Sequence, residues 1–236
     1  MAKRKPGIET LAIHAGAKPD PATGARATPI YQTTAYQFND VDHAASLFGL
    51  QAFGNIYTRI MNPTQGVLEE RVAALEGGTA ALAVASGHAA QFLVFHTLMQ
   101  PGDEFIAANK LYGGSINQFG NSFKSFNWNV KWADTDNPAS FEAAITPKTR
   151  AIFIESLANP GGIFVDIQAI ADIAHKHGLP LIVDNTMATP YLIRPIEHGA
   201  DIVILPLTKF IVGRGNSLGA DIVDGGTCDW SKSGNY

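Results

Sequence analysis

From residue 80 onward, short apolar runs alternate with stretches of helical pattern, and this alternation constrains the fold more than any other feature of the chain. The runs AALAVAS (80–86), DEFIAA (103–108), VKWAD (130–134), RAIFIES (150–156), LPLIVDN (179–185) and ADIVIL (200–205) read as strands. Helical stretches follow near 88–99, 114–123, 138–145 and 166–177. Alternation of this kind predicts an α/β fold, a three-layer αβα arrangement with a mostly parallel sheet between helices. Ligands of such sheets sit beyond the C-terminal ends of the strands. Ahead of this region, NPTQGVLEERVAALEGG predicts a helix. Asn62 is its N-cap, Pro63 its first residue, Val67, Leu68, Val72 and Leu75 its apolar face, and Gly77 its stop.

Residues 1–60 have a different character. PDPATGARATPIYQTTAYQF is rich in Pro, Thr and Gly and reads as extended and irregular. Tyr31, Tyr36, Phe38, Phe48, Phe53 and Tyr57 argue against a free tail, so the segment is expected to be an arm that packs on a neighbouring subunit. The expected organisation is therefore an arm over 1–60 and a large domain over 61–236. No internal repeat or low-complexity segment is visible.

Bulk properties exclude several classes. The 236 residues are 46% hydrophobic and 16% charged, with a formal net charge of −4. Lys3-Arg4-Lys5 is the one basic block, which argues against a nucleic-acid or anionic-membrane surface. The single cysteine, Cys228, excludes a disulfide framework within the chain and fits a reducing, cytoplasmic setting. No apolar stretch approaches the ~20 residues that span a bilayer, and no secretory signal opens the chain. His175 and His177 are two apart, on different sides of a helix, so no metal site is expected.

The strand ends carry the chemistry. Ser86-Gly87-His88 follows one strand and opens a helix, where backbone N–H groups and the helix dipole suit a single phosphate. Glu155 ends another strand, with Asn159-Pro160 just beyond. Asp184-Asn185-Thr186 ends a third, and Thr208-Lys209 follows a fourth, before a glycine-punctuated loop. Taken singly, Asp184 is a cap or a ligand, and Lys209 is a solvated strand-end lysine or a nucleophile. Taken together, a phosphate grip, a carboxylate and a lysine are the parts a pyridoxal phosphate (PLP) enzyme needs: Schiff-base amine, partner for the ring nitrogen and phosphate turn.

At these residues the chain resembles the Cys/Met metabolism class of fold-type I PLP enzymes, most closely its O-acetylhomoserine sulfhydrylase (O-acetylhomoserine aminocarboxypropyltransferase) branch. The motifs are LFGLQAFGNIYTRIMNPT, LEGGTAALAVASGHAAQ, LYGGS, ESLANPGG, DNTMATPYLIRPIEHGADIV and LTKFIVGRGNSLGADIVDGG. The resemblance implies the large domain of a fold-type I transferase. It places the internal aldimine on Lys209, the pyridinium partner at Asp184 and Thr186 beneath the ring. Tyr112 would stack on the ring and assist proton transfer. Ser86, Gly87, His88 and Thr208 would hold the phosphate, and Asn159 would lie near the ring hydroxyl and the substrate carboxylate. Tyr57 and Arg59 would reach the phosphate of the neighbouring subunit, which implies a homodimer, usually paired into a tetramer. The implied reaction is γ-replacement of O-acetyl-L-homoserine by sulfide or methanethiol, giving homocysteine or methionine plus acetate. Cystathionine γ-synthase, O-succinylhomoserine sulfhydrylase and methionine γ-lyase chemistry, or a non-catalytic paralogue, are the alternatives.

Three positions depart from the family's pattern. Pro206 stands where a serine is usual, and Val212 and Arg214 stand where a glycine and a histidine are usual. If position 212 requires a positive φ, valine is strained there. The family's C-terminal small domain, with its carboxylate-binding arginine, is expected to be absent from this chain.

Overall fold

In the computed structural model, which describes residues 6–230, the chain forms two compact units that divide at Arg71 and Val72. The first unit holds two short helices, α1 (Ile8–His14) and α2 (Val41–Phe48), in a stretch expected to be irregular throughout. Of their residues only Leu47 is buried, so neither shows the wide apolar stripe by which a helix is recognised in sequence. Local capping starts α2 instead: the Asp40 side chain accepts the His43 N–H at 2.7 Å. An isolated bridge pairs Ala35 with Tyr57.

Helix α3 (Pro63–Glu76) begins and ends as expected. Asn62 Oδ1 accepts the Thr64 N–H at 2.9 Å, Pro63 takes the first position, and Gly77 stops the helix at φ +82°. Its inner face differs from the expected one. Val72, Ala73 and Glu76 are buried, whereas Leu68 is exposed. A glutamate in the last turn is read as solvent-facing in sequence; here Asn185 supplies it with a hydrogen bond inside the protein.

The second unit continues through β1 (Ala80–Val84), α4 (Gly87–Leu98), β2 (Glu104–Ala108), α5 (Gly113–Gly120) and β3 (Asn129–Ala133). It goes on through α6 (Pro138–Ala143), β4 (Thr149–Glu155), a small hairpin of β5 (Leu157–Ala158) and β6 (Ile163–Phe164), and α7 (Ile167–Lys176). The last elements are β7 (Leu181–Asp184), α8 (Thr189–Leu192), β8 (Ile202–Leu205) and β9 (Ala220–Asp224). The main sheet has the order β1-β9-β8-β7-β4-β2-β3. The pairs β2·β3, β2·β4, β4·β7 and β7·β8 are parallel. Strand β9, which the apolar pattern does not announce, lies antiparallel between β1 and β8. Strand β1 therefore runs in the same direction as the other parallel strands, and their C-terminal ends share one edge.

Burial explains the central strands. In β7 and β8 every residue is buried, and in β4 all but Arg150 are. Such strands read as continuous apolar runs because helices or neighbouring strands cover both faces. Phe95, Phe105, Phe119, Phe123 and Phe153 pack against one another in the core, with Phe95 and Phe105 4.1 Å apart between ring centroids. Full burial of each ring contributes about 1.5–3 kcal/mol. This core fixes the strand ends that carry the polar groups.

Candidate active site

A cavity of about 210 Å³ opens at that edge of the sheet. Nine of the eleven residues expected to bind the cofactor line it: Ser86, Gly87, His88, Tyr112, Asn159, Asp184, Thr186, Thr208 and Lys209. The other two, Tyr57 and Arg59, belong to the first unit, where the Arg59 guanidinium lies 5.5 Å from the centre of the half-exposed Tyr57 ring.

One wall is the start of α4. The Ser86 side chain accepts the Ala89 N–H at 3.2 Å and its carbonyl accepts the Ala90 N–H at 2.9 Å. The Gly87 and His88 N–H groups, first in the helix, are left without an intrahelical acceptor and suit an anion. Gly87 must be small: a Cβ there would lie 2.8 Å from Cγ of Pro206. Pro206 thus packs its ring against the glycine turn rather than offering a hydroxyl. The His88 and Tyr112 rings stack with centroids 6.1 Å apart, and a Cβ on Gly114 would lie 2.4 Å from the Tyr112 ring and 2.8 Å from the His88 ring.

The floor is built by β4 and β7, whose last residues, Glu155 and Asp184, pair in register. Asp184 Oδ1 accepts the Thr186 N–H at 2.9 Å and the Thr186 hydroxyl. Burial raises the Asp184 pKa, while hydrogen bonds from Thr186 and Gln91 and the nearby His88 oppose that rise. Glu155 Oε1 accepts the Tyr112 N–H at 2.7 Å, and Oε2 accepts the Asn159 N–H at 3.0 Å. Burial and then the charge of Asp184 push the Glu155 carboxyl up to about 7, against those two N–H donors. Behind the floor, the Asn185 side chain accepts the Ser156 hydroxyl at 2.7 Å and donates to Glu76 Oε1 at 2.9 Å. Burial pushes Glu76 up to about 7, partly offset by Asn185 and Arg194.

The rim is β8 together with the turn that succeeds it. Lys209 is exposed and lines the cavity. Thr208 is held by the backbone of Gly219, whose N–H donates to the Thr208 hydroxyl at 3.1 Å. The Val212 N–H bonds the Leu207 carbonyl and the Gly213 N–H bonds the Lys209 carbonyl, both at 2.9 Å. Positive φ falls on Gly213 (+66°) and Gly215 (+64°), and Val212 is not among the residues with positive φ. The strain expected at Val212 is therefore absent; its side chain packs against the core.

Sequence reading leaves Glu155, Gln91 and Ser115 without a role. Gln91 and Ser115 are buried, line the cavity and are joined by a 2.9 Å hydrogen bond. Gln91 was findable, because it lies one turn beyond Gly87 and His88 on the same helix. Glu155 was visible only as a strand-end carboxylate; its register with Asp184 appears once the strands pair. Among the described residues no cluster of His, Cys, Asp or Glu is placed to hold a metal ion, and no helix is long and apolar enough to cross a membrane.

The donor set fits pyridoxal phosphate: free helix N–H groups suit the phosphate, a buried carboxylate suits the protonated ring nitrogen, and a reachable amine suits the carbonyl. Comparison with known proteins agrees. Residues 9–235 match the family described as Cys/Met metabolism PLP-dependent enzyme. The chain is 52% identical over 224 residues to an O-acetyl-L-homoserine sulfhydrylase of Leptospira meyeri, covering 95% of this chain and 51% of that protein. It is 47% identical over 226 residues to the homocysteine/cysteine synthase of Saccharomyces cerevisiae, covering 94% and 51%. A Campylobacter jejuni crystal structure, provisionally named an O-acetylhomoserine (thiol)-lyase and carrying N′-pyridoxyl-lysine-5′-monophosphate, superposes with a TM-score of 0.90 at 41% identity. That match covers 93% of this chain and 54% of the other. A cystathionine gamma-lyase from Lactobacillus plantarum superposes with a TM-score of 0.85 at 36% identity, covering 93% and 55%. The chain spans about half the length of the relatives it matches. It belongs to the Cys/Met metabolism family of PLP-dependent enzymes.

Proposed function

We propose that this protein replaces the acetate of O-acetyl-L-homoserine with sulfide or methanethiol, giving homocysteine or methionine plus acetate. One observation carries the reading: Lys209, Asp184 and the N-terminus of α4 open on the same small cavity. Relatives named for O-acetylhomoserine chemistry at about half identity support the choice of substrate.

Bound, pyridoxal phosphate supplies a carbonyl for an amine and a ring that takes up the electrons left when an amino acid loses its α-proton. Lys209 would hold it through Nζ, and the same nitrogen would carry the substrate's α-proton. Asp184 would keep the ring nitrogen protonated. The Ser86-Gly87-His88 turn and Thr208 would hold the phosphate, and Tyr112 and Thr186 would contact the ring. Asn159 would orient the substrate carboxylate. The stacked His88 and Tyr112 rings would exclude water from one side of the reacting centre.

The exposed apolar side chains of the first unit support a subunit contact: Ile30 is 84% exposed, Leu50 88% and Val41 83%. In this reading residues 1–60 are the arm, 61–236 the cofactor domain, and Tyr57 and Arg59 serve a neighbouring copy of a homotetramer. A lone cysteine suits a cytoplasmic setting.

The test is the visible absorbance of the purified full-length protein with added pyridoxal phosphate, before and after Lys209→Ala. A yellow, borohydride-reducible wild type and a colourless variant are expected. A wild type that stays colourless overturns the cofactor assignment. Turnover of the acetyl ester with sulfide is expected to exceed that of the succinyl ester; strict use of cysteine as acceptor overturns the substrate assignment.

A further inference from the structure

We propose that Glu155 is a positioning residue: its carboxylate ties the backbone of Tyr112 and of Asn159 to the cavity floor, and on taking up a proton it loosens one of them. Glu155 is 5% exposed at the end of β4. Its two oxygens are divided between two chain segments. One accepts the Tyr112 N–H, just before α5, and the other accepts the Asn159 N–H, beyond the β5 strand. Both segments carry groups that face the cavity.

A carboxylate accepts strongly at both oxygens, whereas in a neutral acid the protonated oxygen is a much weaker acceptor and carries an O–H donor of its own. Protonation therefore weakens one of the two ties. The titratable neighbours set when this happens. Asp184 faces Glu155 from β7, in register; His88, from the start of α4, and Lys209, from beyond β8, line the same cavity. Asp184 in its charged form opposes charge on Glu155, which titrates near neutrality. A cation beside Asp184 relieves that opposition and favours the doubly tied state. Occupation of the site and the fixing of Tyr112 and Asn159 are thereby coupled. This last step rests on the pyridoxal phosphate reading; the tie itself does not.

The experiment is backbone amide hydrogen exchange at Tyr112 and Asn159 in the full-length protein, with and without pyridoxal phosphate, between about pH 8 and about pH 5.5. After correction for intrinsic exchange, protection of at least one of the two amides is expected to fall roughly tenfold on acidification, while amides of β7 and β8 hold theirs. Glu155→Gln keeps one acceptor oxygen at every pH, so it is expected to show the low value throughout. Pyridoxal phosphate is expected to shift the wild-type transition to lower pH. Protection that does not change with pH in the wild type, or a Glu155→Gln protein that behaves like the wild type, overturns the proposal. Should that variant fail to fold, the wild-type pH series decides alone. A wild type that binds no pyridoxal phosphate overturns the proposed function and leaves the amide measurement to judge Glu155.

Discussion

The floor and the rim of the cavity are built on opposite plans. At the floor, Glu155 and Asp184 are buried and in register, each holding backbone N–H groups, with Glu76 and Asn185 locked behind them. At the rim, Lys209, Phe210 and Arg214 are exposed on a turn that glycines allow to bend. Charge at the floor is costly and held by geometry; charge at the rim is solvated and free to move. The difference sets fixed, buried polarity on one side of the cavity and an exposed amine with room to move on the other. It also predicts that floor substitutions act on stability and pH dependence, whereas rim substitutions act on function with little change in folding.

The largest expected effect is a pH dependence that comes from the floor. Glu76 and Glu155 are raised from the usual carboxylate value to about 7 in the folded protein. The native state thus holds protons that the unfolded chain releases, so stability is full below the unfolded value and falls as pH rises to about 7. Each group contributes on the order of 3 kcal/mol to this fall. Denaturant unfolding from about pH 5 to about pH 8 measures it, and Glu76→Gln is expected to remove roughly half the slope. A slope unchanged by Glu76→Gln breaks the distinction between buried floor and solvated rim.

A smaller effect is expected in the wall between them. Gly114→Ala puts a methyl group against the Tyr112 and His88 rings and should cost about 1–3 kcal/mol, as overpacking does. Cofactor affinity should fall with it, because both rings line the cavity. The smallest effect lies at the rim. Val212→Gly is expected to destabilise by about 1 kcal/mol, since the backbone there is one that valine adopts and glycine adds unfolded-state entropy. A gain in stability, or tighter cofactor binding, would mean that position 212 does need the freedom of glycine.

Legibility in the sequence followed burial. The six expected strands are all present; β2, β4, β7 and β8 are buried along most of their length, which an apolar run records directly, whereas the edge strands β1 and β3 are largely uncovered. Strand β9 escaped notice because LGADIVD follows a glycine-rich loop and carries two aspartates, Asp221 buried and Asp224 half-buried. The helices of the first unit escaped because they bury almost nothing. At the site, Lys209, Asp184 and the Ser86-Gly87-His88 turn were legible as polar groups at strand ends. Glu155 was legible as a strand-end carboxylate too, but its contacts were not, because they lie with backbone groups from segments 43 and 4 residues away.

The sheet order has a consequence for how the protein is made. Strand β1 lies at the sheet's edge, and its one neighbour there is β9, with Ala80 opposite Asp224. Translation at ~5–20 residues per second leaves AALAV waiting on the order of ten seconds for its mate to emerge. Closing so wide a loop then costs on the order of 4 kcal/mol in chain entropy. Helix α4 follows this strand directly, so its start is seated in the completed sheet only after the segments bearing Glu155 and Asp184 have already been made.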